Sequence, residues 1–69
     1  MCARAWNRLG VIAFELGRPQ VGLELIKQAL DINPNQPEFL VNFGQMLMEL
    51  GAFSEAVEAF RNALSTGLG

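Results

Sequence analysis

The sequence repeats itself at a spacing of 34 residues, and that period decides most of what the chain can fold into. Displaced by 34 positions, Gly10 meets Gly44, Glu15-Leu16-Gly17 meets Glu49-Leu50-Gly51, Glu24 meets Glu58, and Ala29-Leu30 meets Ala63-Leu64. Leu9 with Phe43, Ile26 with Phe60 and Lys27 with Arg61 match in kind. The register runs from Ala3 onward without a gap. The 69 residues therefore make one small module, with repeat one at 3–36 and repeat two at 37–69.

Each repeat divides into two helical stretches. Trp6, Leu9, Gly10, Ala13 and Leu16 fall on one helical face, and Leu40, Phe43, Gly44, Leu47 and Leu50 repeat it. Gly22, Leu23, Ile26, Ala29 and Leu30 form a second face, repeated by Ala56, Val57, Phe60, Ala63 and Leu64. No stretch alternates with period two over strand length, so the fold is expected to be all-α. Gly17 and Gly51 suit left-handed helix ends, and Pro19 suits a first helical position because its missing N–H has no partner there anyway. The run Asn33-Pro34-Asn35-Gln36-Pro37-Glu38 reads as a turn, an Asn cap and an acidic first turn. Four helices are expected, at about 3–16, 19–32, 36–50 and 53–66. The short links between them make consecutive helices antiparallel neighbours in a solenoid-like stack of hairpins. Gly10 and Gly44 are expected to let paired helices approach, facing the small residues at 22 and 56.

The period and the pattern Trp6-x2-Leu9-Gly10-x2-Ala13 with Gly17, Gly22, Ile26-x2-Ala29 and Pro34 resemble the tetratricopeptide repeat. The second copy reads Leu40-x2-Phe43-Gly44-x2-Leu47 with Gly51, Ala56 and Phe60-x2-Ala63. The resemblance covers residues 3–69. Ala13 and Leu47 stand where the family usually has tyrosine, Gly22 where it has alanine, and Leu68 where a proline usually marks the end.

The resemblance implies a non-catalytic protein–protein interaction module whose first helices line a concave groove for a peptide or partner segment. By position in the repeat, the groove residues are Arg4, Asn7, Arg8, Val11, Phe14 and Glu15 from repeat one. Repeat two supplies Glu38, Val41, Asn42, Gln45, Met48 and Glu49. Some family members clamp carboxylate-ended chaperone tails with lysine and asparagine. Of that set only Asn42 is matched, since Asn7 and Val11 occupy the first-repeat positions, so this chain is not expected to use the clamp. Val11, Phe14, Val41 and Met48 remain as apolar anchors. Arg4 and Arg8 lie one turn apart and face solvent, an acidic partner or Glu38 of the next hairpin. Trp6 reads as core or end-cap.

Composition adds a tension. Half the residues are apolar, 51%, and only 17% are charged, in a chain too short to bury much surface. Stacked repeats bury one face on each neighbour, and two repeats leave faces without an internal partner. Phe53, Val57, Phe60 and Leu64 on the last helix are the residues expected to lie open. Two compatible accounts follow: the segment belongs to a longer array, and it self-associates as a homo-oligomer in isolation. The simplest oligomer is a dimer, with hairpin exchange through a hinge at 33–36 as one route.

The remaining classes fare poorly. Histidine is absent, so Ser-His and Cys-His catalytic arrangements cannot form, and no paired acids sit in a deep cleft. No phosphate loop and no metal-ligand spacing is seen, so no cofactor and no metal are expected. The net charge of −2, with no basic run, gives no footprint for nucleic acid or a membrane surface. The single cysteine, Cys2, forms no internal disulfide. Without a signal-like start or a long apolar run, a cytoplasmic setting is the default expectation.

Overall fold

The computed structural model describes residues 2–68, with side chains through Thr66. It contains four helices: α1 (Ala3–Glu15), α2 (Pro19–Ile32), α3 (Pro37–Glu49) and α4 (Phe53–Leu68). There is no strand among the described residues. α1 and α3 each end one residue earlier than expected, α3 starts one later, and α4 continues past 66. The expected chain end at Gly69 lies outside the described residues.

The two helix ends that lead into the hairpin turns are built identically. After α1, the Gly17 N–H bonds the Phe14 carbonyl at 3.1 Å and the Arg18 N–H reaches the Ala13 carbonyl at 3.0 Å. After α3, Gly51 bonds Met48 at 3.1 Å and Ala52 bonds Leu47 at 2.9 Å. This paired pattern satisfies carbonyls that a helix end leaves orphaned, and it needs a residue in left-handed backbone. Gly17 and Gly51 supply it at φ +84° and +83°.

The starts of α2 and α3 rely on proline. Pro19 and Pro37 occupy the first turn, and Arg18 and Gln36 before them are held out of the helical region, at ψ 70° and 113°. This corrects the Asn cap expected before α3. The capping position is Gln36, and it makes no side-chain cap bond. Glu38 does sit in the first turn, where an acid complements the helix dipole.

α1 packs on α2 and α3 on α4, as two hairpins. α3 also lies against α2, and it touches α1 only lightly. The stack is a slab of about 33 × 29 × 14 Å, barely thicker than one helix, so its core is a thin seam. Ile26 and Ala29 of α2, Phe39, Leu40, Met46 and Leu47 of α3, and Ala56, Ala59 and Ala63 of α4 are buried there. α1 buries only Asn7 and Gly10. Leu9 and Leu16, expected on its core stripe, are exposed, because no helix lies against that side of α1 among the described residues.

The two hairpins close by different means. In the first, a Cβ on Gly10 would lie 2.9 Å from the carbonyl oxygen of Gly22, and one on Gly22 would lie 2.8 Å from that of Gly10. The backbones therefore touch directly, and neither glycine has room for a side chain. In the second hairpin, Gly44 is met by the ring of Phe60, whose Cε1 lies 2.7 Å from where a Cβ would be. The three atoms nearest that position all belong to Phe60, whose ring fills the gap over the glycine. Phe60 is accordingly half-buried, whereas Phe53, Val57 and Leu64 lie open on α4.

Candidate groove between α1 and α3

α1 and α3 run side by side as the first helices of the two hairpins, and three adjoining hollows lie between them. One, of about 110 Å³, is lined by Val11, Phe14 and Glu15 of α1 and by Asn42, Gln45, Met46 and Glu49 of α3. The next is lined by Asn7, Arg8, Val11, Ile12, Glu38 and Asn42. The third is lined by Arg4, Ala5, Asn7, Arg8 and Glu38. Together they form a trough parallel to the two helices.

The walls are joined at mid-length. Nδ2 of Asn42 donates to Oδ1 of Asn7 at 3.0 Å. Asn7 is buried, and this bond gives its carbonyl oxygen a partner away from water. Asn7 thus holds the groove together as well as lining it.

The chemistry changes along the trough. Val11, Phe14 and Met46 give one end an apolar floor, with the carboxylates of Glu15 and Glu49 at its rim. Arg4 and Arg8 stand at the other end, sharing their hollow with Glu38. About 11 residues of helix separate Arg4 from Glu15, a rise of roughly 16 Å. A ligand lying in the trough would therefore meet opposite charges at its two ends.

Most of the residues named from the sequence come together here: Arg4, Asn7, Val11, Phe14, Glu38, Asn42 and Gln45 all line the trough. Val41 and Met48 do not line these hollows, and both are exposed on α3. The groove stripe on α3 is Asn42, Gln45, Met46 and Glu49, turned from the Val41–Gln45–Glu49 row that steps of four imply. Met46 and Ile12 were not anticipated. The signal for Met46 is its spacing, four residues after Asn42 and three before Glu49, on one helical face. Among the described residues no group of three or more potential ligands is placed to hold a metal ion, and no helix is long and apolar enough to cross a membrane.

Comparison with curated proteins finds none that matches. The family description Tetratricopeptide repeat matches residues 13–66, which takes in the end of α1, the whole of α2 and α3, and most of α4. With its paired hairpins, its 34-residue register and this match, the chain belongs to the tetratricopeptide repeat family, whose repeats serve in general as protein–protein interaction modules.

Proposed function

We propose that the two repeats of this chain, 3–36 and 37–69, bind a short segment of another protein in the α1–α3 trough and do no chemistry themselves. The observation that carries the reading is the continuous run of hollows along two helices fastened by the Asn7–Asn42 bond. The trough offers what peptide grooves use: an apolar floor for one or two anchors and polar groups that set direction. An extended or helical segment with an apolar anchor over Val11 and Met46 fits it. A cationic residue of that segment would lie by Glu15 and Glu49, and an acidic one by Arg4 and Arg8. The lack of histidine supports the non-catalytic part.

An array of peptides varied in charge order tests this. Peptides with the acid-to-base order stated above should bind, and reversal of that order should weaken them. Glu15→Lys with Glu49→Lys, at exposed positions, makes both ends cationic and should abolish the preference for charge order while the helical spectrum is unchanged. Failure of every peptide to bind, in either order, would sink the groove reading.

A second reading is favoured by one observation: Phe53, Val57 and Leu64 lie open along α4. In it the segment self-associates through that face. The two readings use different surfaces and are compatible.

A further inference from the structure

We infer that the hollow at the Glu15–Glu49 end of the trough is a pocket for one arginine side chain of the partner, so that the apolar anchor and the cation are the same residue. The inference rests on the groove reading and names the side chain that this end selects.

Size and lining argue together. The hollow measures about 110 Å³, room for one side chain. Val11, Phe14 and Met46 line it with apolar atoms, and Glu15 and Glu49 bring two carboxylates to the same small space. An aliphatic side chain seated there would strip water from the carboxylates and give them no partner. A small cation would leave the apolar lining uncovered. A side chain with an apolar stem and a charged head meets both demands, its stem on Val11 and Met46 and its head at Glu15 and Glu49.

The negative charge at this end comes from more than two side chains. Glu15 and Glu49 are the last residues of α1 and α3, and the C-terminal pole of a helix is itself negative. Neither helix has a basic residue in its last turn. Arg18, the cation nearest Glu15 in sequence, is not among the residues that line the hollow. The two glutamates are equivalent positions of the 34-residue register, so helices running side by side bring both to one end.

Arginine suits this lining better than lysine. The Phe14 ring offers a flat face on which a guanidinium stacks, and the planar fork has donors enough for a carboxylate on each wall. A guanidinium is also the more weakly hydrated cation, so it loses less on entering an apolar-lined site. Phe14 is seated from behind by Gly22, since a Cβ on that glycine would lie 3.0 Å from the Phe14 Cβ and 3.2 Å from its backbone nitrogen. The bare glycine lets α1 carry Phe14 this close to α2.

Capped alanine–serine peptides of about eight residues test the pocket, with two aspartates and one variable position about five residues away, a spacing that spans roughly 16 Å in an extended chain. The set is made in both chain directions, and the variable residue is arginine, lysine, citrulline or leucine. Citrulline keeps the shape of arginine and lacks its charge. Affinity for the 69-residue chain is read by chemical-shift titration, with the Phe14 ring signals followed separately. The arginine peptide should bind at least about tenfold more tightly than the citrulline and leucine peptides and should move the Phe14 signals. It should also bind several-fold more tightly than the lysine peptide, and Phe14→Leu should remove most of that margin. Glu15→Gln with Glu49→Gln, both at exposed positions, should remove the advantage of arginine over citrulline while the helical spectrum is unchanged. Leucine or citrulline binding as well as arginine overturns the inference while the groove reading stands. An arginine advantage that survives the two glutamine substitutions does the same, and lysine binding equal to arginine overturns the choice of arginine. If no peptide binds in either direction, the inference and the groove reading fall together.

Discussion

Nδ2 of Asn42 donates to Oδ1 of Asn7 at 3.0 Å, tying α3 to α1 across the junction of the two hairpins. The residues are 35 apart, one step off the 34-residue register, so the bond joins non-equivalent positions. α1 and α3 otherwise touch only lightly, which leaves this bond a large share of their coupling. Asn7→Ala removes the acceptor and leaves the Asn42 amide part-buried without its partner. The expected cost is about 1–2 kcal/mol, seen as a lower urea midpoint at unchanged slope. Combining it with Asn42→Ala should cost less than the sum by about 0.5–1.5 kcal/mol. Strict additivity would show that the bond contributes nothing in solution.

Gly10→Ala and Gly44→Ala are the same change at equivalent positions, and they should differ. Alanine gains about 1 kcal/mol of helix propensity over glycine at either site. At Gly10 the new methyl meets the Gly22 carbonyl and the Ile26 amide, both backbone, so the two helices must move apart. Overpacking of this kind costs about 1–3 kcal/mol, and after the propensity gain the net should be a loss of up to about 2 kcal/mol. At Gly44 the three atoms nearest the methyl all belong to the Phe60 ring, which is half-buried and can rotate outward. That variant should lie closer to neutral. A thermal melt of each settles the order, and Gly44→Ala falling below Gly10→Ala would contradict the account.

Gly17 and Gly51 need glycine for conformation alone, since a Cβ at either would meet nothing within 4 Å. Alanine at φ near +84° strains the backbone by about 1–2 kcal/mol. Gly17→Ala and Gly51→Ala should therefore lose similar amounts, while Gly17→Asn loses less because Asn tolerates left-handed backbone. Unfolding midpoints of the three variants test this against a packing role, which would make Asn worse than Ala.

The sequence carried the fold because period, turn glycines and prolines all act locally. The pairing of Glu-Leu-Gly at 15–17 and at 49–51 announced two identical helix ends, and the backbone bonds there are the same to within 0.1 Å. The groove was legible to within one residue of rotation: Asn42 and Gln45 line it, while Val41 and Met48 do not. A step of four overshoots the 3.6-residue turn, and over two turns the drift moves a row off its face. What local pattern did not convey was how one helix is covered on two sides. Phe60 shares a helical face with Val57 and Leu64, so periodicity groups them, and only the gap over Gly44 separates the packed ring from the open aliphatics.

Two methionines of α3 test the same point energetically. Met46 is covered by the preceding hairpin, while Met48, two residues on, is 45% exposed on the opposite side of the helix. Their chemistry and helix propensity are the same, so any difference measures burial alone. Met46→Ala should cost about 2–4 kcal/mol, through lost apolar burial and the cavity left beside Val11 and Phe14 of α1. Met48→Ala should stay within about 0.5 kcal/mol of the native chain. In a chain of this size 1 kcal/mol moves the melting temperature by about 4–8 °C, so the first variant should melt at least about 8 °C lower. Equal melting of the two would mean that Met46 is not buried in solution, and that the hairpins stack more loosely than its 4% exposure requires.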